Sequence, residues 1–431
     1  VKYDFYEAVA DDQRGVDLKL SPERGKIFVQ DKSGKAQPAA LNKDWPLVYA
    51  VPKEIENPED VASVLSPILE IPLEELLSRL KKENDPYEPL ARKVSDEIAG
   101  QIKQLGISGV GIASESGRFY PFDSLASQIL GFFGPEGDKK AGRYGVEKFF
   151  NKELEGTQGE LRGEKDGFGY IISTVEKFIE PAKDGADVYL TIDPNIQFAA
   201  EEKLKKAIER WSAEGGSAIV MEPATGKILA LANLPTFNPN EYSKVNEPKV
   251  FSNAAIQGVF EPGSVFKPFT MAAALDTKVL SPSTAYIDEG EVKIGGYTIR
   301  NFNNQAFGKR TMTEVLEKSL NTGAVFAQRS AGKDVFKNYV KAFGFGEKTG
   351  VDLPFEVAGN ILNLNSGREI NYATASFGQG ISATPLELIS AISAIANDGK
   401  LMRPYVVDKL IYKDGSELKT EPEAVRQAIS P

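Results

Sequence analysis

The sequence predicts a mixed α/β (α+β) protein: a short antiparallel sheet flanked by helices, preceded by an elongated mixed α/β domain. Three observations carry this. Two apolar runs, 218–221 and 228–231, flank Pro223-Ala224-Thr225-Gly226 and read as a hairpin. Helical apolar spacing recurs from Ser264 to Asn397. The residues before Lys183 instead mix short strand and helix signals with dense glycine. A chain of 431 residues, 41% hydrophobic and 26% charged, has ordinary globular composition and length for two or three domains.

Taken in order, residues 1–13 carry Tyr3, Tyr6, Val9 and Ala10 at loosely helical spacing. Pro22-Glu23-Arg24-Gly25 turns into a strand over 26–30, closed by the turn Asp31-Lys32-Ser33-Gly34. Helices are predicted over 58–66 and 72–82; in the second, Leu73, Leu76, Leu77 and Leu80 form one stripe. Leu90, Val94, Ile98 and Ile102 predict a third helix over 87–105, and 109–112 reads as a strand. Between Gly131 and Gly169, glycines including Gly142, Gly145, Gly156, Gly159, Gly163 and Gly167 predict turns between short elements. The turn Lys183-Asp184-Gly185 marks the expected boundary between domains 1–183 and 184–431. A strand over 188–191 leads to a helix over 194–211 with Asp193 as N-cap. The hairpin over 216–233 is apolar on both faces, which predicts a sheet covered on both sides. Helices follow over 264–275, 313–319, 323–331, 335–342 and 385–397.

The chain contains no histidine and no cysteine. A Ser-His-Asp triad, a Cys-His nucleophile and Cys/His zinc sites are therefore excluded, and any nucleophile must be activated by Lys, Asp, Glu or Tyr. A net charge of −10 without a dense basic block argues against nucleic acid as a partner. No apolar run approaches a membrane span; 388–396 is short and interrupted by Ser390 and Ser393. The chain opens on Val1, and the expectation is a native start, with an anchor, upstream.

With histidine absent, a serine beside a lysine is the natural pair. Ser-x-x-Lys occurs as Ser78/Lys81, Ser264/Lys267, Ser330/Lys333 and Ser416/Lys419. The first, third and fourth read as solvated surface. Ser264 follows the turn Pro262-Gly263 and opens a helix that is apolar almost all round, which makes it a buried one. Lys267 then sits on the same face as Ser264. Burial and the helix dipole both disfavour its ammonium, and a neutral amine can take the serine proton. The alternative is a lysine reaching to solvent with Ser264 as a plain N-cap. Ser319-Leu320-Asn321 is the one Ser-x-Asn; it reads as a hydroxyl and a carboxamide facing one cleft, or as a polar capping turn. Lys348-Thr349-Gly350 completes the motif set of serine acyl-transferases that act on β-lactams and peptidoglycan peptides. Its glycine-rich approach and its position 29 residues beyond Ser319 mark it instead as a structural turn.

Together the strings resemble a class B penicillin-binding protein, a monofunctional peptidoglycan DD-transpeptidase of the elongation or division type. In the second half they are Leu190-Thr191-Ile192-Asp193 with Gln197, Glu222-Pro223-Ala224-Thr225-Gly226, Glu261 to Lys267, Ser319 to Gly323, and Phe377-Gly378-Gln379-Gly380 with Thr384-Pro385. In the first half they are Arg24-Gly25-Lys26-Ile27 with Asp31, Arg118-Phe119-Tyr120-Pro121, and Gly142-x-x-Gly145-x-Glu147. The resemblance implies a transpeptidase/β-lactamase-like domain on a class B pedestal domain of dimerisation type. Two departures stand out. Asn253-Ala254-Ala255 replaces the family's Asn-Arg-Ala, removing a salt link. The family's catalytic Lys-Thr-Gly lies well beyond Ser-x-Asn, so it is expected after Pro431, and the chain is expected to be truncated and to lack one wall of the site.

The implied mechanism has Ser264 attack the penultimate D-Ala carbonyl of a stem peptide, Lys267 act as base, Ser319 pass the proton to the leaving D-alanine, and Asn321 orient the donor amide. An amine of a second stem peptide resolves the acyl-enzyme, and a β-lactam leaves Ser264 acylated. The family implies no metal or organic cofactor. Its partners are peptidoglycan stem peptides, β-lactams and a membrane glycosyltransferase of the elongation or division machinery, at the extracytoplasmic face of the cell membrane. The rival readings are a penicillin-binding sensor that does not turn over and a non-catalytic scaffold of a cell-wall synthesis complex.

Overall fold

The computed structural model describes residues 15–82, 85–137, 139–164 and 178–431. The expected helical spacing over 1–13 and the last glycines of the 131–169 stretch lie outside them. The chain forms two compact units, Ala40–Tyr120 and Val1–Ala39 with Pro121–Pro431.

In the smaller unit, the strand Ala36–Ala50 pairs antiparallel with Val110–Phe119, in register from Leu41↔Phe119 to Ala50↔Val110. Helices Pro58–Leu69, Leu73–Leu80 and Asp96–Leu105 contribute to a core of Val48, Leu65, Leu76, Leu80, Leu90 and Ile102. Asn57 and Ser95 cap two of these helices through their side chains. The predicted helix over 87–105 is corrected here. Its first part is the strand Glu88–Ala91, paired with Val48–Ala50, and only Asp96–Leu105 is helical. A four-residue apolar spacing is also an even spacing, so it satisfies strand alternation as well as a helix stripe. Pro89, which has no N–H to give a helix, and the Ser95 cap decide the matter.

The larger unit places Ile27–Gln30 parallel to Asp187–Leu190, which pairs antiparallel with Val407–Ile411. Beside this junction lies a buried ion pair. Arg24 Nε and Nη2 reach Glu147 Oε2 at 2.9 and 2.6 Å, and Nη2 also donates to the Glu147 carbonyl at 3.0 Å. Arg24 lies over the Phe133 ring, 4.6 Å from its centroid. Glycine is required at 142, where a Cβ would stand 1.7 Å from the Glu147 carbonyl oxygen. The first-half motif strings Arg24-Gly25 and Gly142-x-x-Gly145-x-Glu147 are thus one junction.

Asp193 caps the helix Pro194–Trp211 as predicted, accepting from Asn195 N and Ile196 N, and it also accepts from Lys32 N at 3.0 Å. Buried Gln197 clips this helix to the hairpin, donating to Leu231 O at 3.0 Å and accepting from Leu231 N at 2.8 Å. The hairpin is Gly216–Met221 with Ile228–Leu234. Its second strand is covered. The first is only half covered, against expectation: Val220 is exposed, and Ile219 lines an open apolar groove with Phe260, Val265 and Ile392. Among the described residues no helix is long and apolar enough to cross a membrane.

Candidate active site

The site is built on the helix Lys267–Asp276. Phe266 and Phe269 pack into a cluster with Phe343 and Phe345, while Met271 and Ala274 enter a second cluster with Met312, Val315 and Leu320. This helix is therefore wedged between two cores. Where a single helix was expected from Ser264, residues Gly263–Phe266 form a 3₁₀ turn that runs into it. In such a turn side chains at i and i+3 eclipse, which sets Ser264 directly against Lys267.

Lys267 Nζ lies 3.1 Å from Ser264 Oγ, 2.9 Å from Ser319 Oγ and 2.5 Å from the Ser319 carbonyl oxygen. Lys267 is 2% exposed, and among the described residues no carboxylate contacts its amine. Burial pulls its pKa down from 10.5 to about 8. The amine donates in all three contacts; once it is deprotonated, two N–H groups still serve Ser319 and the lone pair is left for the Ser264 hydroxyl. The reading in which Lys267 reaches out to solvent does not describe this side chain.

Ser319 is presented by a helix end. After Met312–Glu317, Ser319 N donates to Leu316 O and Leu320 N to Val315 O, the Schellman pattern, with Ser319 left-handed at φ 54°. Glycine is the usual residue there; a serine costs strain but brings its hydroxyl and carbonyl to Lys267. Ser319→Gly is expected to be more stable than Ser319→Ala by about 1 kcal/mol in urea unfolding, because both lose the hydroxyl and only alanine keeps the strained φ. Equal stabilities would show that the turn carries no strain.

Asn321 begins the helix Asn321–Ala331. Its Nδ2 donates to Arg300 O at 2.9 Å, which fixes the amide's orientation and leaves Oδ1 as an acceptor for another group. Sequence reasoning missed what holds this corner. Buried Asp288 accepts from both Asn301 Nδ2 and Thr322 Oγ1, at 2.9 and 2.7 Å, and Thr322 N donates to Asn301 Oδ1. The network ties the Asn321 helix to the residue after Arg300. No local pattern marks it, since its members are 13 and 34 residues apart in sequence.

Two of the second-half strings, Glu261 to Lys267 and Phe377 to Gly380, also meet here. Gly263 N donates to Gly378 O at 2.9 Å, and a Cβ on Gly378 would stand 2.2 Å from Gly263 O. Glu261 accepts from Gly380 N, and Phe260 and Ala383 exchange backbone hydrogen bonds. The Phe377-Gly378-Gln379-Gly380 loop is therefore the bed on which the Ser264 turn rests. Asn253-Ala254-Ala255 forms a capped turn, Asn253 accepting from Ala255 N.

The other pairs are surface features. Ser78, Ser330 and Ser416 bond Glu75 O, Phe326 O and Asp414 Oδ1, all at exposed positions. Lys348-Thr349-Gly350 is an irregular loop whose Thr349 N and Oγ1 and Gly350 N all bond the Glu356 carboxylate. Among the described residues no group of three or more carboxylates gathers as a metal site.

Residues 216–431 match the penicillin binding protein transpeptidase domain, and residues 19–190 the penicillin-binding protein dimerisation domain. Stage V sporulation protein D of Bacillus subtilis is 34% identical over 98% of this chain and 65% of its own length. The probable peptidoglycan D,D-transpeptidase PbpC of Pseudomonas aeruginosa is 32% identical over 99% of this chain and 73% of its own. The chain thus spans about two thirds of the length of such relatives. Penicillin Binding Protein 2X from Streptococcus thermophilus shares the fold, with a TM-score of 0.75 and 24% identity over 96% of this chain and 64% of that one. The matched domains, in this order along one chain, place the protein among the class B penicillin-binding proteins.

Proposed function

We propose that this chain carries the acylation machinery of a peptidoglycan DD-transpeptidase. Residues 1–183 serve as its pedestal and 184–431 as its penicillin-binding domain; the two domain matches, 19–190 and 216–431, support that division. The observation that carries the reading is a buried lysine amine, low in pKa, 3.1 Å from a serine hydroxyl. Lys267 takes the Ser264 proton as Oγ attacks the carbonyl of the penultimate D-Ala. The Ser264 N–H supplies one donor to the oxyanion, worth about 3–4 kcal/mol in comparable sites. Ser319, 2.9 Å from the same amine, carries the proton to the leaving D-alanine, and Asn321 Oδ1 accepts from the donor's amide. An amine of a second stem peptide then attacks the ester, Ser264 leaves, and a cross-link forms. A β-lactam enters the same first step and stays. The substrate places the enzyme at the extracytoplasmic face of the cell membrane, beside a membrane glycosyltransferase that supplies nascent strands.

The test is a fluorescent penicillin followed by intact mass and peptide mapping. One adduct per chain on the peptide containing Ser264 is expected, together with D-alanine release from a stem pentapeptide. An adduct elsewhere, or none, defeats the reading; an adduct without D-alanine release leaves a sensor.

The acylation rate should also follow the deprotonation of Lys267. With a pKa of about 8, the neutral amine is about a tenth of the population at pH 7 and about nine tenths at pH 9. The rate constant for penicillin is expected to rise roughly tenfold between those values and then level off. A flat profile would remove Lys267 as the base, and a midpoint at an ordinary lysine pKa would show that burial does not lower it.

A further inference from the structure

We propose that the cleft lined by Arg300, Asn321, Arg368, Asn371, Thr374 and Gln379 is a peptide subsite selective for a side carboxylate, with the Arg368 guanidinium as that carboxylate's partner. The inference rests on the reading above and adds a charge preference to it. The cleft has a volume of about 530 Å³, the scale of a short peptide segment, and it opens off the site at Asn321.

Its charge is unlike that of the chain. Net charge is −10, yet the lining contains two arginines and no aspartate or glutamate. One arginine is already answered: Arg300 Nε lies 3.1 Å from Glu291 Oε2. Arg368 is exposed, and among the described residues its guanidinium has no hydrogen bond or ion pair. The adjacent acid cannot serve it, because Glu369 is bound by Arg329 at 2.6 Å. The backbone around Arg368 is fixed all the same. Its N–H donates to Ser366 Oγ, its carbonyl accepts from Asn371 N, and Asn371 Nδ2 holds Ser366 Oγ at 2.8 Å. A guanidinium on a fixed backbone, its fork open, suits a carboxylate, which it binds through two parallel N–H bonds. Phe377 and Ile370 form the apolar floor, which strengthens such a pair relative to open water. Asn371, Thr374 and Gln379 offer amide and hydroxyl groups for a peptide backbone.

Two dansylated stem pentapeptides test this, L-Ala-γ-D-Glu-L-Lys-D-Ala-D-Ala and its D-isoglutamine analogue, which differ by one carboxylate against one carboxamide. In anisotropy titrations at low salt, the wild-type chain is expected to bind the carboxylate peptide about tenfold more tightly. The preference is expected to vanish in Arg368→Gln, to invert in Arg368→Glu, and to shrink with added salt. Thermal melts of both variants should match the wild type, since the side chain is exposed. A preference that survives in Arg368→Gln, or a wild type that binds both peptides equally, overturns the proposal. Penicillin labelling of the wild type separates the two claims: an unlabelled Ser264 defeats the transpeptidase reading, while a carboxylate preference that follows Arg368 stands or falls in the binding data.

Discussion

Replacing Lys267 with methionine is expected to slow β-lactam acylation of Ser264 by about a thousandfold, the scale of a positioned general base. Methionine retains the bulk and apolar stem, so the wedge between the two phenylalanine- and methionine-rich clusters should persist and the melting temperature should hold or rise. Lys267→Arg is the sharper variant. It keeps a cation and comparable reach, yet arginine does not deprotonate in proteins. If the amine acts as a base, arginine must fail as badly as methionine. If Lys267 only supplies positive charge to Ser319 and the oxyanion, arginine should retain most of the rate. Ser264→Ala sets the floor, with no covalent label at all. Stopped-flow acylation with a fluorescent penicillin reads all three, and an arginine variant within tenfold of wild type would refute the neutral-amine mechanism.

Why the chemical pair could be read from sequence, while its support could not, has a physical basis. Ser264 and Lys267 are three residues apart, and a helix or 3₁₀ turn converts that spacing into contact without help from the rest of the chain. The burial of Lys267 was likewise written locally, in the apolar residues around it. Ser319 required one long-range step, and only the motif order supplied it. The Asp288, Asn301 and Thr322 network, and Arg368 at the cleft, depend on where distant loops land, for which no period exists. The misread strand Glu88–Ala91 shows the complementary limit: its spacing was real, and its apolar residues do enter the core, but the period was shared by two conformations. The half-open face of Gly216–Met221 differs again, since an apolar face in sequence specifies that a cover is favourable without supplying one.

The second large effect is on folding. Glu147→Ala is expected to cost about 3–5 kcal/mol, because it leaves the Arg24 guanidinium in a site built for a pair. Arg24 is 9% exposed and Glu147 is fully buried, so water cannot replace the lost carboxylate without opening the junction. The junction is mechanically central to the larger unit. Gly25 N donates to Leu154 O, Ala186 N to Glu153 O and Val188 N to Lys26 O, so the strands Ile27–Gln30 and Asp187–Leu190 are aligned from it. From there the chain runs through Asp193 into the helix that clips the hairpin. The penalty belongs to burying the Arg24 charge without the Glu147 carboxylate rather than to the loss of a favourable pair, and this can be separated. Arg24→Met with Glu147→Leu should recover most of the stability, since exchanging both partners for apolar groups of similar volume removes the desolvation cost as well. Urea unfolding of the single and double variants gives the coupling energy. A double variant no more stable than Glu147→Ala would mean that the directional hydrogen bonds to the Glu147 carboxylate and carbonyl, and not charge burial, hold the junction together.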